Sequence, residues 1–222
     1  MMTWGILAVI GLGLFLTYVI WQETRSHLHW RALVAHGNVW AIRELITAEI
    51  DRWRRIRPPA GVPVALWAGV QTVELVAIGQ DHVQVACGTE GEYRMAAARR
   101  EQVTSALDAA MRLASKLVEM VLYDIPEVKT DRVRVDVYST FRTVDGAPEQ
   151  RCVLSTTASR IVANTIDWEG TTARQIVERL SSRFEVDEHG NAREIDPGTP
   201  MEDEAVEDSM PPEVRQRRKR PE

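Results

Sequence analysis

The 222-residue chain contains only two cysteines, Cys87 and Cys152. A small domain in an oxidising compartment usually has more of them, in pairs. Two cysteines in a chain of this size are typical of buried, reduced thiols, which favours a reducing compartment. Both fall on inward faces of predicted strands, so a core role is favoured over that of a nucleophile.

Common motifs of enzyme chemistry are missing as well. The chain has no C-x-x-C or H-E-x-x-H motif, so a zinc site is unsupported. It has no glycine-rich loop followed by Lys and Ser or Thr, and no G-x-S-x-G elbow. The formal net charge of −5 is mild, so specific nucleic-acid binding is not expected. No cofactor and no catalytic residue are predicted.

Residues 1–22 are predicted to form a transmembrane anchor. The segment from Trp4 to Trp21 has 18 residues without a charge, and a helix of that length spans roughly 27 Å, close to the hydrocarbon thickness of a bilayer. Trp4, Trp21 and Arg25 are expected at the membrane interface, where indoles and basic groups concentrate. A cleaved signal peptide would need a basic start and a small-residue cleavage site, and both are missing.

The charges that flank this anchor predict its orientation. Residues 1–3 contain no Lys or Arg, whereas seven arginines lie between residues 23 and 57. Lys and Arg concentrate on the cytoplasmic side of membranes. We therefore expect a single-pass membrane protein with its N-terminus outside and its C-terminal domain in the cytoplasm, and the lipid bilayer is its first predicted partner.

Residues 23–57 are predicted to form a juxtamembrane region of amphipathic helix. The pattern is interrupted at Gly37-Asn38, where Asn38 is a suitable N-cap. The apolar residues that follow recur at three- and four-residue spacing and share one helix face. That face could pack on the domain, associate with a protein partner or a second copy through residues 39–57, or lie on anionic lipid. Lipid contact would use Arg52, Arg54, Arg55 and Arg57.

A proline-rich linker at residues 58–63 precedes a predicted globular α+β domain at residues 64–184. Period-two alternation predicts three short strands between residues 73 and 95, which we expect to form an antiparallel meander. A helix capped by Ser105, two more strands and a last helix capped by Thr171 or Thr172 follow. The expected fold is an antiparallel or mixed sheet of about five strands, covered by helices.

The two strands on either side of Asp145-Gly146 have a predicted register. If those two residues form the turn, Val137 faces Leu154 and Ser139 faces Cys152. This register places Cys152 and Leu154 on the same buried face as the valines of the first strand. A longer loop stays open as an alternative.

Residues 185–222 change character and are predicted to be a disordered tail, first acidic and then basic. Ten acidic residues lie between Glu185 and Asp208, and a basic block follows at residues 215–220. Few apolar residues are available, so the segment cannot bury enough surface to fold. The basic block is either a solubilising end, which we favour, or a contact for lipid, nucleic acid or an acidic partner.

One enzymatic resemblance is present in the order of the predicted elements. Helix, three strands, helix and strand is similar to the core of restriction-endonuclease-like proteins. The resemblance implies that Asp81 and Glu92, on adjacent strands, hold Mg²⁺. Such a core would be degenerate, because Arg94 stands where the family has a lysine and an arginine cannot act as a base. Sharing one ion requires the two carboxylates to lie within about 6 Å.

Three functional hypotheses follow. We favour a membrane-anchored adaptor or scaffold, not an enzyme, whose α+β domain binds a protein partner. The alternatives are a metal-dependent, nuclease-like hydrolase and a membrane-surface lipid sensor. The adaptor is supported by the arrangement of anchor, domain and charged tail.

Overall fold

The computed structural model describes residues 33–204, apart from residues 35, 97–98, 127 and 143–144 and the side chains of residues 93–96 and 99–101. The helices are α1 (Val39–Arg55), α2 (Val64–Gln71), α3 (Ala106–Glu119), α4 (Arg160–Ala163) and α5 (Ala173–Arg179). The strands are β1 (Glu74–Ile78), β2 (His82–Gly88), β3 (Glu92–Ala96), β4 (Arg99–Thr104), β5 (Arg132–Arg142), β6 (Pro148–Ser159), β7 (Ser181–Arg183), β8 (Glu185–Val186) and β9 (Ala192–Arg193). A π-helical turn, Met120–Asp124, extends α3.

A five-stranded mixed sheet in the order β1-β2-β5-β6-β7 forms the centre of the fold. Neighbouring strands are antiparallel except β2 and β5, which run parallel. Parallel neighbours require a long crossover connection, and here that connection contains β3, β4 and α3. The predicted α+β class, with a mixed sheet and helices, is therefore confirmed.

Alternation along the strands gives this sheet one apolar and one polar face. On the apolar face, β2 and β5 pair Val83 with Val133 and Val85 with Val135, and all four side chains are fully buried. These valines join one hydrophobic core with the buried residues of α1, α2 and α3. The core therefore lies on the helix side, and the opposite face of the sheet is left to polar residues.

Helix α1 begins where the sequence predicts. The Asn38 side chain accepts a hydrogen bond from the Ala41 N–H at 3.0 Å, which satisfies one of the free donors at the helix start. Ile46, Ile50 and Trp53 are buried, and the helix contacts α2 and β1. Among the fates considered for this apolar face, packing on the domain is the one observed. Self-association through residues 39–57 stays a prediction.

The starts of two further helices also agree with the sequence. The Ser105 hydroxyl accepts from the Asp108 N–H at 3.0 Å, and Thr172 forms a capping box with Gln175. Helix α2 was not predicted. Its eight residues are apolar on nearly every side, so no helical period stands out between the linker and the first strand.

The β5–β6 hairpin has the predicted register only in the half that is far from its loop. Val137 pairs with Leu154 as expected, but a bulge at Val153 shifts the remaining pairs by one residue, so that Tyr138 faces Cys152. Paired residues share a face of the sheet. Cys152 therefore lies on the polar face, and its predicted place among the valines is wrong. The strands are separated by residues 143–147, so the connection is the longer of the two predicted alternatives.

The third predicted strand does not belong to the central sheet. β3 pairs with β4 in a separate two-stranded sheet, and β5 lies beside β2 instead. The expected meander is therefore wrong beyond β2. A period-two pattern identifies a strand without identifying its neighbour, and three valines at alternate positions face the core along β5.

The predicted disordered tail begins too early. β8 and β9 form a small hairpin over residues 185–193, and residues 194–204 cross the polar face of the sheet. The composition of this segment indicates only that it cannot form a hydrophobic core by itself. Composition does not reveal that its main chain forms hydrogen bonds with a sheet made by other parts of the chain. Residues 205–222 lie outside the described part.

The predicted anchor at residues 1–22, with Trp4, Trp21 and Arg25, also lies outside the described residues. Within the part of the chain that the structure describes, no helix has both the length and the apolar character needed to cross a bilayer. The anchor therefore stays a prediction from the sequence.

Candidate functional site on the polar face of the sheet

Residues 194–204, which we call the strap, cross the polar face from one side of the sheet to the other. At one end the Ile195 N–H donates to the Cys152 carbonyl of β6 at 2.8 Å. At the other end the Glu204 N–H donates to the Ile78 carbonyl of β1 at 3.0 Å. The strap thus runs across the strands rather than adding a strand to the edge of the sheet.

Arg134 on β5 makes the central contact with the strap. Its guanidinium donates to the Thr199 carbonyl at 2.8 Å and to the Pro197 carbonyl. Arg183 on β7 also donates to the Pro197 carbonyl. The planar fork of an arginine can serve two acceptors at once. The domain therefore recognises the middle of the strap through its main chain.

A buried ion pair holds Arg134 in this orientation. Its Nε lies 3.0 Å from an oxygen of Asp136, and the two side chains are 8% and 3% exposed. The amide of Gln84 donates to the other Asp136 oxygen at 2.6 Å and accepts from the Met201 N–H at 2.7 Å. Burying two charges costs several kcal/mol each unless their hydrogen bonds are satisfied. This network provides the partners, and the strap completes it.

His82 connects the last part of the strap to the sheet. Its Nε2 lies 2.7 Å from the Glu202 carbonyl oxygen, and its Nδ1 lies 2.8 Å from the Asp81 carboxylate. Both neighbours are acceptors, so the ring satisfies them best when both nitrogens are protonated. Burial acts to lower the pKa of His82, but the hydrogen bonds to Asp81 and to the Glu202 carbonyl outweigh it and raise the pKa.

Asp81 is held between two donors at the start of β2. His82 and Arg132 contact its carboxylate oxygens, each at 2.8 Å. These hydrogen bonds, that of His82 first, lower the pKa of Asp81. Asp81 therefore remains a carboxylate and favours the protonated form of His82.

Asp81, His82 and Glu204 each place one possible metal-ligand atom within 4.8 Å of the others. Gly79 permits this close approach, since a Cβ there would lie 2.4 Å from His82 Cε1 and 2.6 Å from a Glu204 oxygen. A histidine binds a metal through an unprotonated ring nitrogen. Because both nitrogens of His82 face oxygen acceptors, the cluster suits a protonated histidine better than a metal ion.

The polar face is open beside the strap. A cleft of about 430 Å³ lies there, and its lining includes Glu74, Ala86, Tyr138 and Gln150. Ala86 pairs with Asp136, so the cleft begins next to the network beneath the strap. Burial raises the pKa of Tyr138, so its hydroxyl remains a donor at neutral pH. The polar face thus has one part occupied by the strap and an adjoining part that no described residue covers.

The structure does not bring the two predicted metal carboxylates together. Asp81 precedes β2, and Glu92 begins β3 beyond the other end of β2. The seven residues of β2 form a strand roughly 20 Å long at about 3.3 Å per residue. The two residues therefore lie at opposite ends of that strand, and the nuclease-like hypothesis loses its geometric basis.

The four arginines predicted for lipid contact lie at the exposed end of α1 and just beyond it. Arg52 and Arg54 form ion pairs with acidic residues three positions earlier, and Arg55 donates to a main-chain carbonyl of the same helix. Arg57 is exposed. Since the apolar face of α1 is buried in the core, that face is not free to enter a bilayer. Lipid contact through the arginines themselves stays a prediction.

Both cysteines are buried free thiols. Burial raises the pKa of Cys87, and it raises that of Cys152 to about 11. The thiolate is the reactive form of cysteine. Both side chains therefore remain unreactive thiols at neutral pH, which agrees with the structural role expected for them.

The sequence interpretation missed the polar network of Gln84, Arg134 and Asp136. Charged residues alternate with valines along β5, a pattern that predicts a solvated outer face because charges are rarely buried without partners. Some of the partners come from the strap, and Thr199 lies 65 positions after Arg134. The only available signal was the polar alternation itself, and it does not reveal a distant cover.

The fold and this face define an α+β domain in which a polar sheet surface binds an extended segment of its own chain. The chain matches no protein-family model, no curated protein and no solved structure. The chemistry of the polar face is therefore the basis on which a function can be assigned.

Proposed function

We propose that this chain is a membrane-anchored adaptor whose cytoplasmic α+β domain binds a protein partner through the polar face of its sheet. The observation that carries the proposal is the set of contacts beneath the strap. Arg134, Gln84 and His82 all contact main-chain groups of a segment that crosses the sheet. Proteins commonly recognise an extended peptide through hydrogen bonds to its main chain. Pockets beside these hydrogen bonds then bind its side chains.

The rigidity of these side chains supports a binding function. Arg134 is fixed by Asp136, and His82 is fixed by Asp81. Side chains that are already ordered lose little conformational entropy when a ligand binds. The open cleft of about 430 Å³ beside them supplies further surface for a partner.

The anchor belongs to the same proposal and is supported by the sequence. The uncharged segment between Trp4 and Trp21 is long enough to span a bilayer, and the arginines that follow favour a cytoplasmic domain. The full chain should stay in the membrane pellet after alkaline carbonate extraction, whereas a chain without residues 1–22 should move to the supernatant. A full chain that is soluble without detergent would show that the anchor is wrong.

Photo-crosslinking in native membranes tests the binding surface. A photoreactive phenylalanine analogue replaces Tyr138, which lines the cleft. In the control it replaces Ile161 of α4, which is 83% exposed and outside the cleft. We expect a light-dependent adduct at Tyr138 only, with a partner that also binds the purified protein. Adducts at neither position, or equally at both, would refute the proposed surface.

A further inference from the structure

We infer that the strap is an internal ligand, which occupies the surface that an extended acidic segment of the partner protein binds. The inference rests on the proposed function and names the kind of partner. The partner's segment would be extended and would carry a cluster of carboxylates. Its main-chain N–H and carbonyl groups would be available for hydrogen bonds. It would displace the strap and also fill the open cleft.

The hydrogen bonds from buried side chains of the sheet to the strap go to main-chain groups, so they depend little on which side chains the bound segment carries. The carbonyls of Pro197, Thr199 and Glu202 and the N–H of Met201 are the groups that the sheet contacts. Every extended segment offers carbonyls at similar spacing, and most offer the N–H. The surface can therefore accept another chain in place of the strap.

Charge narrows the choice to acidic segments. The strap has five acidic residues and no basic residue. Arg43 pairs with Asp203 and Arg151 pairs with Glu194, so arginines of the domain lie at both ends of the strap. Complementary charge favours the right partner and excludes basic ones.

The strap is built so that it can be displaced. None of its residues is buried, so it contributes little of the apolar burial that stabilises folded chains most strongly. Segments with few buried apolar contacts open at the lowest free-energy cost. When the strap leaves, Arg134 loses two carbonyl acceptors, and another main chain can replace them.

The open cleft explains how a partner segment can displace the strap, although the strap is covalently linked to the domain. A segment linked to its own binding site has an effective concentration in the millimolar range. A displacing ligand therefore needs contacts that the strap does not make. The cleft lined by Tyr138 and Gln150 adjoins the surface beneath the strap and supplies such contacts to an uncharged part of the partner segment.

A chain that is cut after folding tests this inference. A protease site inserted at Gly190, in the exposed turn between β8 and β9, frees the strap to dissociate. The probe is a fluorescent peptide with the sequence of residues 194–204, followed by anisotropy. We expect the cut protein to bind the peptide, and the uncut protein to bind it roughly a hundredfold or more weaker because its own strap competes.

Variants of the cut protein test the contacts. Arg183→Gln removes a charged donor to the Pro197 carbonyl and should weaken peptide binding by roughly tenfold. Arg179→Gln is the matched control, since Arg179 is exposed on α5 and no contact joins it to the strap within the described residues. A peptide with its five acidic residues replaced by the corresponding amides should bind more weakly than the original.

Four results would overturn the inference. The first is equal binding of the peptide by cut and uncut protein, and the second is no binding by cut protein that keeps its fold by circular dichroism. The third is equal binding of the amide peptide. The fourth is a dimer of the uncut protein in which each strap lies on the sheet of the other copy. The last result would assign the surface to a second copy. If the peptide fails while the Tyr138 adduct still forms, the internal-ligand inference is wrong and the adaptor function stands.

Discussion

Replacing Asp136 by alanine would leave the guanidinium of Arg134 buried without its carboxylate. Asp136 is 3% exposed and accepts from Arg134 at 3.0 Å and from Gln84 at 2.6 Å. Removing one partner of a buried ion pair costs about 3–5 kcal/mol, a large share of the 5–15 kcal/mol that is typical of a folded domain. We expect Asp136→Ala to lower the free energy of unfolding by that amount.

Replacing both residues of the pair distinguishes the cost of an unpaired buried charge from the cost of lost side-chain volume. Arg134→Met with Asp136→Leu removes both charges at similar volume, and such exchanges are often neutral or stabilising. The double variant leaves the buried Gln84 amide without its carboxylate acceptor, which costs about 1–3 kcal/mol, so it should lose less stability than Asp136→Ala. The strap amides should exchange faster because Arg134 no longer binds their segment. Urea unfolding of the full chain in detergent, with the m-value checked for constancy, measures both variants. A loss below about 1 kcal/mol for Asp136→Ala, or equal losses for both variants, would refute the reasoning.

Two other predictions concern single side chains. Asn38→Ala removes the N-cap of α1 and should lower the free energy of unfolding by about 1 kcal/mol, whereas Asn38→Asp should restore most of it; equal stability of all three proteins would contradict the cap. The pKa of His82 is raised in the folded protein. The stabilisation from the hydrogen bonds of protonated His82 is therefore fully present below its unfolded pKa of about 6.5, and it is lost as the pH rises through the raised pKa. Protection of the strap amides, corrected for intrinsic exchange, should therefore fall from pH 6 to pH 9. His82→Gln, with Asp81, Arg132 and Glu204 unchanged around it, should flatten that dependence, and a slope unaffected by the substitution would exclude His82 as its source.

Helix starts and hydrophobic patterns were predictable from the sequence because residues close together in the chain determine them. Asn38 and Ser105 cap helices through hydrogen bonds to residues three positions away, so a short stretch of sequence contains both partners. The apolar period of α1 and the alternation along β5 need only their own segments. The pairing of Val137 with Leu154 matches the register expected for a turn at Asp145-Gly146 only because the bulge at Val153 offsets the different pairing near the loop.

The remaining features depend on contacts between distant residues. A single inserted residue, Val153, moves Cys152 to the other face, and nothing in the alternation of β6 reveals the bulge. The neighbour of β2 is chosen by competition between β3 and β5 for the core face, which requires the three-dimensional arrangement. The strap was misjudged for a related reason: its own composition cannot fold, but a polar surface formed by other segments stabilises it.

The pair of Arg43 and Asp203 has a mechanical consequence. Arg43 lies near the start of α1 and Asp203 near the end of the strap, so the two ends of the described domain meet at one edge. A pull that separates these two ends would act on this contact and on β1 before it reached the central strands. The contacts of the strap with β1 would then be loaded before its contacts with Arg134 and Cys152, which lie farther along the strap.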